Sequence, residues 1–514
     1  MTVGGTRRKW WALGALAVSL LTVGLDATVL SVALPTIATD LHASTGDLQW
    51  FNDAYLLVLA AAMLPAGVLG DRFGRKRLLL AALAAFGAAS ALCAYATTVG
   101  ELVAARALLG LGAAFMMPLS MAVLPVLFTD EERPRAINVW VAATAIGLPL
   151  GPIVGGWLLD NFWWGSVFLI NVPLIAAALV AVSVLLPESR SSQRVRLDPV
   201  GALVSSAGLG AFTYGVIAAG ERGWTDGGAL ATMIAGLVLL TGFVLGQLAA
   251  GRRGRQTLVD LTLFRSRRFT MGAVLATVAT FAMFGLLFAV PQYLQAVGGA
   301  GPLDTGLRLL PIIGGLLVGA RIGDRLTARR GAMASVLLGF TLMAAGLAVG
   351  AGTEIGTGYG VTAAWIALCG TGLGFAMPAA MDTAMGVLTA ERSGSGSAVL
   401  MVLRQAAGAV GVAVLGSVLG AGYRGNLDVD GLPAPVAGAV LDSAAAGVAV
   451  AQRIGSSPLL GAVRAAFVEG MDAMLLVSVG VAALGALLAL ALPRPGAAGH
   501  AERPESERDI VAIR

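Results

Sequence analysis

The sequence predicts an all-α membrane protein: fourteen spanning helices arranged as two six-helix bundles with two extra central helices. Three observations predict it. First, of 514 residues 57% are hydrophobic and only 12% charged, where a soluble protein carries about a quarter. Second, the apolar residues come in blocks of about 20, the length a helix needs to cross a hydrocarbon core. Third, Lys and Arg fall overwhelmingly in every other connection, and a loop motif of the first half recurs in the second.

The elements follow in order. Arg7, Arg8 and Lys9 precede the first block, 11–34, and no small-residue cleavage site closes it. It is therefore expected to remain as a helix and not to leave as a signal peptide. Blocks at 49–70, 78–97, 101–124, 136–159 and 166–186 complete the first bundle, residues 1–190. Blocks at 199–219 and 230–250 form the insert, 191–268, flanked by basic linkers. Blocks at 269–290, 305–322, 332–350, 360–387, 398–419 and 471–492 form the second bundle, 269–492, and 493–514 is a polar tail. Residues 421–470 read as one long outer loop. Its Ala/Val-rich stretch 436–451 contains Asp442 and is assigned to that loop, with room for two helices near the surface.

Charge placement tests this register. Of 34 Lys and Arg, Arg222, Arg308, Arg424, Arg453 and Arg464 fall on the outer side, and Arg106 and Arg404 fall within spans. The remaining 27 lie on the side of the N-terminus. Basic residues collect on the cytoplasmic side of membrane proteins, so both termini are expected in the cytoplasm of a bacterial plasma membrane. One missed or extra span would reverse every later loop and destroy the bias.

The same placement excludes other classes. The net charge of +5 is dispersed in short loops, the mark of membrane orientation and not of nucleic-acid binding. Cys93 and Cys369 lie apart within apolar blocks, and His42 and His500 lie apart in loops. These form no metal set, disulfide framework or nucleophile–base pair. The two lysines, Lys9 and Lys76, sit in no phosphate-binding loop. No catalytic residue, metal or cofactor is expected.

The repeat begins with Gly67, Gly70, Asp71, Arg72, Gly74, Arg75 and Lys76 in the second connection of the cytoplasmic side, echoed by Gly323, Asp324, Arg325, Arg329 and Arg330. Glycine allows the tight turn. Asp71 can cap the next helix or pair with a cation, and the basic residues suit anionic lipid heads. A second echo joins Gly110, Gly112 and Pro118 to Gly370, Gly372 and Pro378. Duplicated halves with a site between them are a transporter architecture.

The Gly67–Arg77 loop resembles the signature of the major facilitator superfamily. Leu25 to Pro35, with Asp26 and Thr28, is similar to the first-helix motif of its fourteen-helix drug:proton antiporter branch. Arg106, Gly110 and Gly112 resemble the fourth-helix motif. Gly147, Gly151, Pro152, Gly155 and Gly156 resemble the antiporter motif of the fifth helix, and Phe168, Asn171 and Pro173 also fit the branch. The resemblance is densest over residues 25–190. It implies a major facilitator fold and proton-driven export of small, largely apolar or amphipathic compounds by alternating access. It also implies a fifth helix that seals the outer gap between the halves, and a chain that works as a monomer. Small residues four apart allow close helix approach, and Pro152 permits bending. Exporters of polyvalent cations in this branch tend to carry acids in helices 10 and 13. Here those helices carry Arg308 and Arg404, which lowers the expectation for dications.

Charges inside spans default to functional candidates. At about 1.5 Å rise per residue, Asp26 lies roughly 22 Å from the inner end of the first span. Asp53 and Arg106 lie about 6 and 8 Å from the outer ends of theirs. The three therefore share a depth, and Asp26 is the expected proton carrier, with Arg106 tuning it. A static Asp26–Arg106 pair that only fixes packing is the competing reading, and Asp53 could be a loop-end charge. Asp382 and Arg404 form a candidate inner gate or simply face water. An importer or exporter of an endogenous metabolite shares the fold, but an importer should lack the Gly151-Pro152 motif.

Overall fold

A computed structural model of the protein describes residues 3–129, 131–190, 198–253, 257, 261–388 and 390–492. The side chains of some helix residues, Asp71 among them, are outside the description, and so is the tail 493–514. Every regular element among the described residues is helical. In order these are α1 (Val3–Asp40), α2 (Thr45–Phe73), α3 (Arg75–Ala94), α4 (Val99–Leu127), α5 (Arg133–Asn161), α6 (Ser166–Leu169), α7 (Asn171–Leu185), α8 (Pro199–Arg222) and α9 (Gly227–Arg252). A 3-10 turn at Leu261–Arg265 precedes α10 (Arg267–Ala296), α11 (Pro302–Arg308), α12 (Leu310–Arg330), α13 (Ala332–Gly350), α14 (Tyr359–Met385), α15 (Ala390–Gly425), α16 (Ala434–Asp442), α17 (Ala444–Arg453) and α18 (Ser457–Ala489). Twelve stretches among the described residues are long and apolar enough to cross a membrane.

Local chemistry sets the ends. Ser44 caps α2 and Asp47 returns a bond to the Ser44 backbone, a reciprocal pair that satisfies two free amides,. Thr98, Asp198, Asp226, Ser266, Ser443 and Ser456 cap α4, α8, α9, α10, α17 and α18, each side chain accepting from one amide of the first turn. Two spans are broken. Pro173 and Pro311 follow the breaks at Ile170 and Leu309, where the ring would collide with a carbonyl four residues earlier.

Several boundaries differ from the sequence reading, and two of them bound the outer loop. α15 continues to Gly425, and α18 begins at Ser457, not near 471. The Ser456 cap and the helical continuity of 457–470 extend the last helix well beyond its apolar core. The stretch 436–451 lies in α16 and α17, of 9 and 10 residues, each too short to cross a hydrocarbon core.

The first seven helices pack among themselves, α1 on α5 and α7, and α4 between α2 and α3. The later ones do the same, α14 between α12 and α13, with α18 against α13 and α15. The echoed glycines explain the match. A Cβ on Gly110 would strike the Tyr55 backbone of α2, and one on Gly112 would strike Phe86 of α3. Gly370 and Gly372 stand in the same relation to Ile312 of α12 and Gly339 of α13. The α8–α9 pair sits at the seam, α8 touching both α2 and α15.

The two groups meet where α2 faces α15, α5 faces α11 and α1 faces α10. The polar ties across this seam cluster toward the end of the bundle that carries His42. Gln295 donates to the Val32 carbonyl at 2.8 Å, Ser417 donates to Gln49 at 3.3 Å, and Thr45 donates to the Asp442 carbonyl at 3.1 Å. At the opposite end, which carries Gly74, Lys9 pairs with Glu132 at 2.6 Å and Arg8 donates to the Val184 carbonyl. Both of those ties stay within the first group.

Candidate functional site

Asp26 of α1 and Arg106 of α4 form an ion pair of 2.7 Å, with side chains 0% and 2% exposed. The expectation that they share a depth is thus joined by direct contact. Arg106 is held from several sides. Its Nε donates to the Phe51 carbonyl of α2 at 2.8 Å. Its guanidinium lies 4.5 Å from the Tyr55 ring centroid and 6.0 Å from that of Phe168, within the range of cation–π attraction. Asn171 of α7 stands beside the same carboxylate and donates to Ser90 of α3 at 3.3 Å. The second oxygen of Asp26, Oδ1, has no hydrogen-bond partner among the described residues. A buried pair with one open acceptor has capacity to take a proton or a donor.

Asp53 is the sharper case. It is fully buried, and neither of its carboxylate oxygens has a partner among the described residues. The α2 face on which it sits is the one turned to α15. A Cβ on Gly420 would approach Thr45, one on Gly416 would meet Gln49, and one on Gly408 would approach Leu56. Asp53 falls between Gln49 and Leu56 on that face, in the seam between the two groups. The reading of Asp53 as a loop-end charge in water does not hold. The capped first turn of α2 lies beyond it and covers it.

The antiporter-type stripe has a steric purpose. Cβ atoms on Gly147, Gly151 and Gly155 would collide with Leu21, Thr28 and Val29 of α1, directly flanking Asp26. On the other side, Gly156 abuts Leu303, and Gly306 abuts the Pro152 carbonyl, so α5 touches α11 across the seam. One helix therefore packs behind Asp26 and bridges the two groups.

The Gly67–Lys76 loop is partly corrected. The N-cap of α3 is Gly74, not Asp71, and no side chain caps that helix. Gly74 adopts φ +115°, a conformation open to glycine. Arg75 and Lys76 are both half-buried and both donate to backbone carbonyls. Arg75 donates to the Ala122 carbonyl at 2.9 Å and Lys76 to that of Ser183 at 2.7 Å. Ser183 lies in the last turn of α7, where carbonyls lack intrahelical donors and attract cations,. Arg72 is exposed and lies over the Phe73 ring, and a Cβ on Gly67 would meet nothing.

Asp382 and Arg404 are not brought together among the described residues. Asp382 is exposed, with Asp324 as its charged neighbour, while Arg404 donates to Thr280 at 3.4 Å. Met116, Trp140 and Phe375 are buried core, and Trp140 donates to Ser120. Sequence reasoning missed Tyr55 and the Phe51 carbonyl, because only the α2–α4 crossing brings them to Arg106. No cluster of metal-ligating side chains occurs among the described residues.

Residues 16–412 match the Major Facilitator Superfamily. The chain is 34% identical to the tetracenomycin C resistance and export protein of Streptomyces glaucescens, covering 94% of this chain and 91% of that one. It is 35% identical to the multidrug efflux pump LfrA of Mycolicibacterium smegmatis, covering 90% and 92%. Among solved structures, a bacterial homologue of the human lysosomal transporter Spinster, in an inward-facing unoccupied conformation, superposes with a TM-score of 0.65 at 14% identity, covering 95% and 99%.

Proposed function

The chain belongs to the Major Facilitator Superfamily, and from that premise we propose that it exports small, largely apolar or amphipathic toxic compounds in exchange for protons. It is a multi-pass bacterial plasma-membrane protein. Twelve apolar stretches together with α2 and α5, each of 29 residues, support a count of fourteen crossings. The bundles are residues 1–190 and 269–492, with 191–268 inserted, and both termini are cytoplasmic. The Gly74 end is then the inner end and the His42 end the outer one. The protein works as a monomer on one small substrate and protons.

The observation that carries the coupling is Asp53. Sealed in the seam as an ion, it would have neither donor nor counter-charge, which costs several kcal/mol. Sealed as the neutral acid, it incurs only the much smaller cost of an unpartnered polar group. Closing the outer seam therefore goes with a proton on Asp53, and opening toward outside water lets the acid reload. Asp26 is the second carrier, with its carboxylate shared between Arg106 and a proton. The α5–α11 contact, made by Pro152, Gly156 and Gly306, is the outer seal.

An efflux-deficient bacterium expressing the protein, screened against a broad toxin panel, tests this reading. Resistance is expected to appear, and to vanish with D26N, with D53N and with a collapsed proton gradient. Resistance that survives all three would reject proton coupling through these acids. Failure to protect against any compound would reject export of toxic compounds altogether.

A further inference from the structure

Three sealed polar atoms surround the Asp26–Arg106 pair without a partner among the described residues: Asp26 Oδ1, Tyr55 Oη and Asn171 Oδ1. They come from α1, α2 and α7, and each residue is at most 2% exposed. Arg106 satisfies none of them. It donates to the other carboxylate oxygen, Oδ2, at 2.7 Å, and it meets Tyr55 through the ring face, 4.5 Å from the centroid. The Asp26 charge acts on the Tyr55 hydroxyl, and Asn171 stands beside the carboxylate. The other titratable side chain near the pair is Cys93 of α3. From α5 the Asp26 turn meets only Gly147, Gly151 and Gly155.

The balance of donors explains why these atoms are idle. An ionised carboxylate only accepts, an amide oxygen only accepts, and a hydroxyl does both. With Asp26 ionised and its Oδ2 fixed by the guanidinium, a single hydroxyl donor stands among two acceptors. A proton arriving at Asp26 goes to Oδ1, because Oδ2 already accepts from Arg106. That proton supplies a second donor. The acid hydrogen can then bond Tyr55 Oη, and the Tyr55 hydrogen can bond Asn171 Oδ1, so that two bonds use all three atoms. Sealed polar groups without partners are costly, and loading one proton removes that cost for all three together.

We infer that Tyr55 and Asn171 are the positioning residues of proton exchange at Asp26: Tyr55 accepts the hydrogen of the protonated acid and donates its own to Asn171. The inference rests on the reading of Asp26 as a proton carrier and names the groups that hold the proton there. It gives a task to Asn171, which the break at Ile170 sets at the first position of α7. It also explains why the aromatic ring against Arg106 carries a hydroxyl. A phenylalanine would serve the cation equally well, but it would offer the acid nothing.

Infrared difference spectra of the purified full chain test this, recorded between about pH 8 and about pH 5, below the range in which tyrosine ionises. The carbonyl band of protonated Asp26 is the one that D26N removes. In Y55F, which keeps the ring against Arg106, that band is expected to shift to higher frequency because the acid has lost its acceptor. In the unaltered protein with ring-labelled tyrosine, the tyrosine C–O band is expected to change between the two buffers. Y55F is expected to remove that change and N171L to shrink it. An Asp26 band at the same frequency in Y55F would overturn the inference. So would tyrosine bands that ignore pH in the unaltered protein, a result that needs no variant to fold. Either outcome leaves Asp26 as a carrier and the efflux reading standing. A D26N spectrum identical to that of the unaltered protein would instead remove Asp26 as a carrier, and this inference with it.

Discussion

Asp26 and Arg106 show what a single buried pair commits a protein to. Removing one partner leaves the other charged, enclosed and unpaired, which typically costs about 3–5 kcal/mol, whereas replacing both by apolar groups of similar size is often neutral. Asp26→Asn is therefore expected to lower the thermal midpoint of the purified protein and to stop export. Asp26→Leu combined with Arg106→Met is expected to recover most of the midpoint but none of the export. Recovery of export by the double variant would show that the pair only fixes packing. Both residues were legible in the sequence because charge is rare inside an apolar block. The unpartnered state of Asp53 was not, since burial depends on α15, which begins at Ala390, far along the chain.

At the scale of elements, α1 and α5 depend on the absence of side chains. A Cβ on Gly151 would strike Thr28 Oγ1 and the Leu25 carbonyl. Gly151→Val is expected to part α5 from α1, lower the yield of folded protein and abolish export. Gly67→Ala, where a Cβ meets nothing, is expected to keep both, with a helix-propensity gain of up to about 1 kcal/mol. Melting of the two variants beside the parent checks the contrast. The α16–α17 pair carries a pH dependence. Burial raises the Asp442 carboxyl above the usual range, Asp47 adds to the rise, and Arg424 and His42 oppose it. The protonated acid is then favoured in the docked pair, so docking strengthens as pH falls through the raised value and weakens as pH rises. The protection of α16 and α17 amides, taken relative to the unstructured-peptide exchange rate at each pH, is expected to be higher at acid than at alkaline pH. D442N is expected to flatten the difference. The start of α18 was not legible in the sequence, because apolarity marks a membrane span and not the full length of a helix.

For the whole molecule, alternating access requires the outer seam to open. A Cβ on Gly420 would lie 3.5 Å from the Thr45 Cβ, within the spacing a disulfide needs. With Cys93 and Cys369 replaced by Ser, the double variant T45C/G420C is expected to form that bond under oxidation, stop export and recover it on reduction. Export that continues with the bond formed would mean the seam does not open there. The sequence by itself determined the membrane class, the apolar blocks, the duplication and the family motifs. Each of these is set by composition or by residues close together in the chain, and the bilayer imposes a length and a polarity that local pattern can satisfy. Only the tertiary structure decided which charges are partnered. It put Arg106 on Asp26, Arg75 and Lys76 on carbonyls, and Asp53 into the seam. The physical reason is that pairing and burial are properties of helix crossings, and a crossing joins residues that no local pattern connects.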